Sequence, residues 1–165
     1  MTKQRRFAEG TEVPSSKSKI ELDLLLEKHG AQQRGIFEES GRGVVMFTMQ
    51  KRQIRLTVKL PRIEEFMSPK DAPRGWWGWD KKRREAWAQQ NVDQGAREAW
   101  RRLLLVTKAK LELVIDSGGS VESEFLANVL LSDGRTVHEA IEPQLAKSYD
   151  DGQMPPLLPA AGGSS

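Results

Sequence analysis

Arg74-Gly75-Trp76-Trp77-Gly78-Trp79 puts three indoles into four positions, and Lys81-Lys82-Arg83-Arg84 follows almost at once. Indole faces stack on unpaired bases while adjacent cations neutralise phosphates, so the combination suits single-stranded nucleic acid. The same residue types make the aromatic and arginine anchors of protein interfaces. A third use is internal: large aromatics are mostly buried, and these could clamp a loop onto its domain. A second basic stretch lies upstream, where Lys51 to Arg62 hold five Lys/Arg, Arg55 and Lys59 among them, and no acid.

Catalysis needs convergent groups, and the candidates are thin. His29 and His138 are the only histidines, and neither stands in a metal-ligand spacing. Glu38-Glu39, Glu64-Glu65 and Asp150-Asp151 are adjacent pairs, which point to opposite sides of a strand or splay apart in a loop. Gly41-Arg42-Gly43 lacks a third glycine and joins two strands, so it is no phosphate cradle. The absence of cysteine removes disulfides, thiolate metal sites and cysteine nucleophiles. The expectation is a non-enzymatic protein with no catalytic residues, no metal and no cofactor.

Charge divides the chain. Residues 1–110 carry 24 Lys/Arg against 14 Asp/Glu, a net of +10, and residues 111–165 carry 2 against 9, a net of −7. Such polarity fits a polyanion-binding face with an acidic flank, head-to-tail self-association into a homo-oligomer, or solvated halves that partly neutralise each other. The longest aliphatic run, Leu103 to Val106, is far short of a membrane span, and no apolar segment follows the basic start. A cytoplasmic protein without membrane contact is expected.

The elements that must position these residues follow from periodicity. Residues 1–16 read as a flexible basic arm, 17–149 as one compact domain, and 150–165 as a disordered tail whose one apolar part is Met154 to Pro159. Ser18-x-x-Glu21 has capping-box spacing and opens a helix with Leu22, Leu25 and Leu26 on one face, closed by His29-Gly30. A three-stranded antiparallel meander comes next. Ile54, Leu56, Val58 and Leu60 alternate with polar residues, and a Lys51-Arg52 turn pairs them with Met49, Phe47 and Val45. A three-residue Ser40-Gly41-Arg42 loop puts Phe37 opposite Val45 on the buried face, leaving Arg55, Lys59, Thr48 and Thr57 on the open one.

Residues 61–79 read as a Trp/Pro/Gly-rich loop, with Asp80 capping a short helix that carries Trp87. Glu85-Ala-Trp87 recurs as Glu98-Ala-Trp100, but thirteen residues turn a helix about 220° past three full turns, so a bend at Gly95 is expected. The longest apolar stripe runs from Trp100 through Leu104, Thr107, Leu111 and Ile115, making Ala96–Ser117 the central helix of a mainly helical C-terminal half. Val121–Leu131 reads as a helix, with a hairpin around Asp133-Gly134 as the alternative for 129–137. Thr136-x-x-Glu139 is a second capping box, opening a helix that Pro143 bends or ends. The fold class is α+β.

Val13-Pro14, Trp100 to Glu112, Glu124 to Ala127, Asp133 to Val137 and Tyr149 to Pro159 resemble a family of small bacteriophage and prophage proteins without an established activity. The resemblance runs from Glu12 to Pro159 and is weakest around Trp76. It implies a phage accessory protein acting in the cytoplasm of a bacterial host, in DNA metabolism or against host defence, and it carries over no residue roles. Two functions are expected on these grounds. The first is nucleic-acid binding, single-stranded above all, through Arg55, Lys59, Arg74, Trp76, Trp77, Trp79, Lys81, Lys82, Arg83 and Arg84. The second is an inhibitor or adaptor that binds a host or phage protein through the same surface.

Overall fold

The structure, a computed structural model, describes residues 7–70, 72–116 and 118–152. The chain folds as α1 (Ser15–Lys28), β1 (Gln32–Glu39), β2 (Arg42–Met49), β3 (Arg52–Lys59), α2 (Glu64–Met67), a 3-10 turn (Trp76–Gly78), α3 (Lys81–Asp116), α4 (Val121–Phe125), a 3-10 turn (Leu126–Asn128) and α5 (Val137–Asp151). It is an α+β protein: a helix, a three-stranded antiparallel sheet in the order β1-β2-β3, then a helical half built on one long helix.

The helix α3 joins what the glycine at 95 was expected to divide. Its 36 residues span about 54 Å at 1.5 Å per residue. Ala, Leu, Arg, Lys, Gln and Glu dominate it, all strong helix formers, and one interior glycine does not outweigh them. Gly95 has a packing role instead: a Cβ there would stand 2.7 Å from the Pro61 ring. Trp87 and Trp100 do face different ways, and both are satisfied on one continuous helix because separate parts of the chain cover them. The sheet and α1 rest on Trp100, Leu104 and Leu111, whereas the 61–79 segment packs on Trp87.

The first hairpin is one residue tighter than expected, and the second keeps a two-residue turn moved back by one position. Ser40-Gly41 and Gln50-Lys51 form two-residue turns, all four residues having positive φ, which matches the twist of the flanking strands. In the second hairpin Val45 pairs with Leu56 and Phe47 with Ile54, two positions from the expected register, so the same face stays buried. In the first, Ile36 pairs with Val45 and Phe37 with Val44. That is a shift of one residue, so Phe37 lies on the open face and Ile36 takes its place against the core.

Helix starts differ as well. Pro14 precedes the first residue of α1, so Ser18 lies inside the helix, fully buried, and forms no capping box. Before it, residues 7–14 are tied down: Gly10 N donates to Glu98 Oε1 at 2.9 Å and Gln94 Nε2 donates to the Thr11 carbonyl at 3.2 Å. The expected helix over 121–131 is cut to α4, capped by Ser120 and Ser123, because 129–130 leave to bridge the edge of β3. Leu130 pairs with Thr136 across the Asp133-Gly134 turn, the hairpin alternative in miniature. The Thr136–Glu139 capping box forms, and α5 runs through Pro143 to Asp151. Met154 to Pro159 and residues 1–6 lie outside the described residues. Among the described residues, no helix is long and apolar enough to cross a membrane.

Candidate nucleic-acid interface

The Trp-rich segment is two things at once. Gly75, at φ 84°, turns the chain into the 3-10 turn, and Trp76 goes inward to 1 % exposure. Its ring meets Trp79 at 5.4 Å and Trp87 at 5.0 Å, and Phe66 of α2 closes on Trp87 at 6.0 Å. These four rings make a second small core over the first half of α3. Trp77, next in sequence, faces the other way and is 77 % exposed.

The cations after the turn fall into two groups. Asp80 accepts from the Arg83 amide at 2.8 Å, capping α3 as its sequence position suggests. The guanidinium of Arg83 lies 4.2 Å from the centre of the Trp79 ring. Arg84 lies over Trp76 and donates to the Trp77 carbonyl at 3.0 Å, so it fastens the turn from below. Trp76 Nε1 and Arg84 Nε are buried there without a hydrogen-bond partner among the described residues. Lys81, Lys82, Arg83 and Arg74 are exposed, and among the described residues only Lys81 of these has a carboxylate partner, Glu85 at 3.7 Å. Residues 70–84 as a whole hold six basic residues and two acidic ones.

The upstream cluster is placed differently. Arg55 is tied to the Glu139 carboxylate and to the Gly134 carbonyl, so the start of α5 occupies it. Thr136, through its backbone N–H above all, and then the charge of Arg55 hold the Glu139 carboxyl below its ordinary pKa. Lys59 lies 3.4 Å from Glu65 with its side chain largely in water. The ten residues are therefore not one surface: Trp77 and its exposed cations lie at the start of α3, and Arg55 and Lys59 lie on the sheet. Sequence alone could not separate them, because the carboxylates that hold Arg55 and Lys59 come from α5 and from α2.

Phe37 is the functional candidate that sequence reasoning misplaced. It is 42 % exposed on the open sheet face, above a cavity of about 560 Å³. The signal that could have found it is Ser40-Gly41, a fair two-residue hairpin turn. His29 ends α1 and His138 is exposed near Glu142, and among the described residues no three His, Asp or Glu side chains gather to hold a metal ion. Comparison with protein families, curated proteins and solved structures finds no match for this chain.

Proposed function

We propose that this protein binds single-stranded nucleic acid without catalysing a reaction, as a phage-type accessory protein in a bacterial cytoplasm. One observation carries the reading: Trp77 is held almost fully in water on a turn whose neighbours Trp76 and Trp79 are locked into a ring cluster. Leaving a large aromatic outside forfeits burial worth about 1.5–3 kcal/mol, so its position favours a use in binding. The turn is pre-organised, and a base stacking on Trp77 pays little ordering entropy. Arg74, Lys81, Lys82 and Arg83 supply cations for the flanking phosphates.

Fluorescence anisotropy with a labelled oligothymidylate tests this directly. Micromolar binding at low salt is expected, with Trp77→Ala weakening it by ~1–3 kcal/mol at every salt concentration, because stacking releases no counterions. No binding at low salt would end the reading. A protein partner is the second possibility, favoured by exposed Arg83 lying over the Trp79 ring beside Trp77, a rigid aromatic and arginine surface of the kind interface hot spots use. It predicts capture of a host protein that Trp77→Ala abolishes and nuclease treatment leaves intact.

A further inference from the structure

The open face of the sheet carries a lattice that the first hairpin turn creates. Its rows run Glu39–Arg42–Lys59, Phe37–Val44–Thr57 and Gly35–Met46–Arg55 across the three strands. An antiparallel sheet with one face in water normally shows polar residues there. Here the central row is Phe37, Val44 and Thr57, and Met46 stands beside it. Gly35 is next to Phe37 on the same face, and nothing lies within 4 Å of where its Cβ would be, so one flank of the ring is bare. The groove is walled on one side by the start of α5, where Glu139 holds Arg55.

Its rim supplies the charge. Arg42 is exposed, and its side chain has no hydrogen bond or ion pair among the described residues. Arg62 donates one N–H to the Ser40 carbonyl and, with five N–H groups on a guanidinium, keeps others to offer. Arg55 and Glu139 neutralise each other, which leaves Arg42 and Arg62 against Glu39 alone. An apolar, aromatic floor between the free Arg42 guanidinium and the partly engaged Arg62 guanidinium is complementary to a flat base on a phosphate backbone. A sheet face with an exposed aromatic is a general way of splaying single-stranded bases.

We propose that the Phe37 groove is a second base-stacking site, taking one unpaired base on the Phe37 ring and the adjoining phosphates on Arg42 and Arg62. The proposal rests on the nucleic-acid reading given for Trp77 and extends it from the tryptophan turn to the open face of the sheet. It also accounts for the exposed aromatic of the sheet standing one row from Arg42, whose side chain is unpaired among the described residues.

The test uses the full chain and a fluorescein-labelled single strand of ~20 nucleotides, a length of the order of single-stranded binding sites. Four variants are compared: Phe37→Leu, Phe37→Tyr, Arg42→Ala and Trp77→Ala. Phe37→Leu keeps apolar volume and loses the ring, and it is expected to bind about tenfold more weakly, within the range of one lost stack. Phe37→Tyr keeps the ring and should bind as the wild type does. Arg42→Ala should flatten the slope of log K against log salt by about 0.7, the share of one phosphate on a single strand. Should Phe37→Leu and Arg42→Ala bind like the wild type while Trp77→Ala does not, this site is overturned and the Trp77 reading stands. The reverse pattern keeps the groove and removes Trp77. Equal affinities for the Leu and Tyr variants overturn the stack, and an unbound wild type overturns both sites.

Discussion

Gly43 and Trp100 compete for one volume: a Cβ on Gly43 would stand 2.5 Å from Cζ2 of the Trp100 indole. The ring lies fully buried over the bare strand, and its Nε1 donates to Glu38 at 3.0 Å on β1. Lys19 of α1 reaches the same place, 2.6 Å from the Glu38 carboxylate and 4.8 Å from the ring centre. One indole thereby joins α1, β1, β2 and α3. Gly43→Ala is expected to destabilise by ~1–3 kcal/mol through overpacking, since neither a strand nor a buried ring gives way easily. Urea denaturation measures it, and a neutral result would mean the indole is not seated against the strand.

Pro61 and Gly95 make a second close approach, and its sign depends on background. Gly95→Ala gains about 1 kcal/mol of helix propensity but forces a methyl to within 2.7 Å of the Pro61 ring. Overpacking of that kind costs ~1–3 kcal/mol, so the single variant should lose stability. In a Pro61→Ala background the same change should instead stabilise by up to about 1 kcal/mol. A double-mutant cycle reads the coupling. If Gly95→Ala stabilises the wild type, the ring does not rest on the helix.

Much of this fold is legible in the residues. Period two in β3 and period three to four from Trp100 to Leu111 mark the sheet and the helix, because one face of each is buried. What fails is local. A strand slipped by two keeps its buried face, so the β2–β3 register error does no harm; a strand slipped by one does not, and Phe37 changes sides. Gly95 reads as a break because glycine breaks isolated helices, whereas here Pro61, distant in sequence, needs the space. Trp76 and Trp77 are indistinguishable as letters, and only the 3-10 turn decides which of them is buried. The partners of Arg55 and Lys59 are likewise invisible to any spacing rule.

Leu104 and Val106 separate the inner and outer sides of α3. Leu104 is 5 % exposed in the core, while Val106 is 45 % exposed. Leu104→Ala should cost ~2–5 kcal/mol and Val106→Ala no more than ~0.5 kcal/mol. Thermal or urea unfolding of both variants checks the orientation of the helix, and equal losses would contradict it.

Glu38 gives a pH signature. The Lys19 hydrogen bond, helped by the Trp100 N–H and opposed by partial burial, holds its carboxyl below the ordinary glutamate value near 4.5. A folded pKa below the unfolded one adds stability that is present above the unfolded value and lost as pH falls through the folded one. Glu38→Gln, which can still accept both hydrogen bonds, should therefore be less stable than the wild type at neutral pH. The gap should narrow as pH drops below the ordinary carboxylate range. Half the Glu38 side chain is in water, so the effect is modest. A gap that is constant with pH would show that the charge of Glu38 does not matter.

The salt dependence of binding should separate cations that are free from cations that are held. Each phosphate neutralised on a single strand contributes about −0.7 to the slope of log K against log salt. Lys82 is exposed without a carboxylate partner among the described residues, so Lys82→Ala should flatten the slope by about that amount. Arg55 is tied to Glu139, and Arg55→Ala should leave the slope unchanged. Arg84 lies under the turn and bonds the Trp77 carbonyl, so Arg84→Ala should weaken binding with little change of slope, by loosening the turn and not by removing a phosphate contact. Anisotropy titrations from low to moderate salt measure all three. If Arg55→Ala flattens the slope as much as Lys82→Ala does, the strand displaces Glu139, and the sheet face, not the tryptophan turn, is the main anion-binding surface.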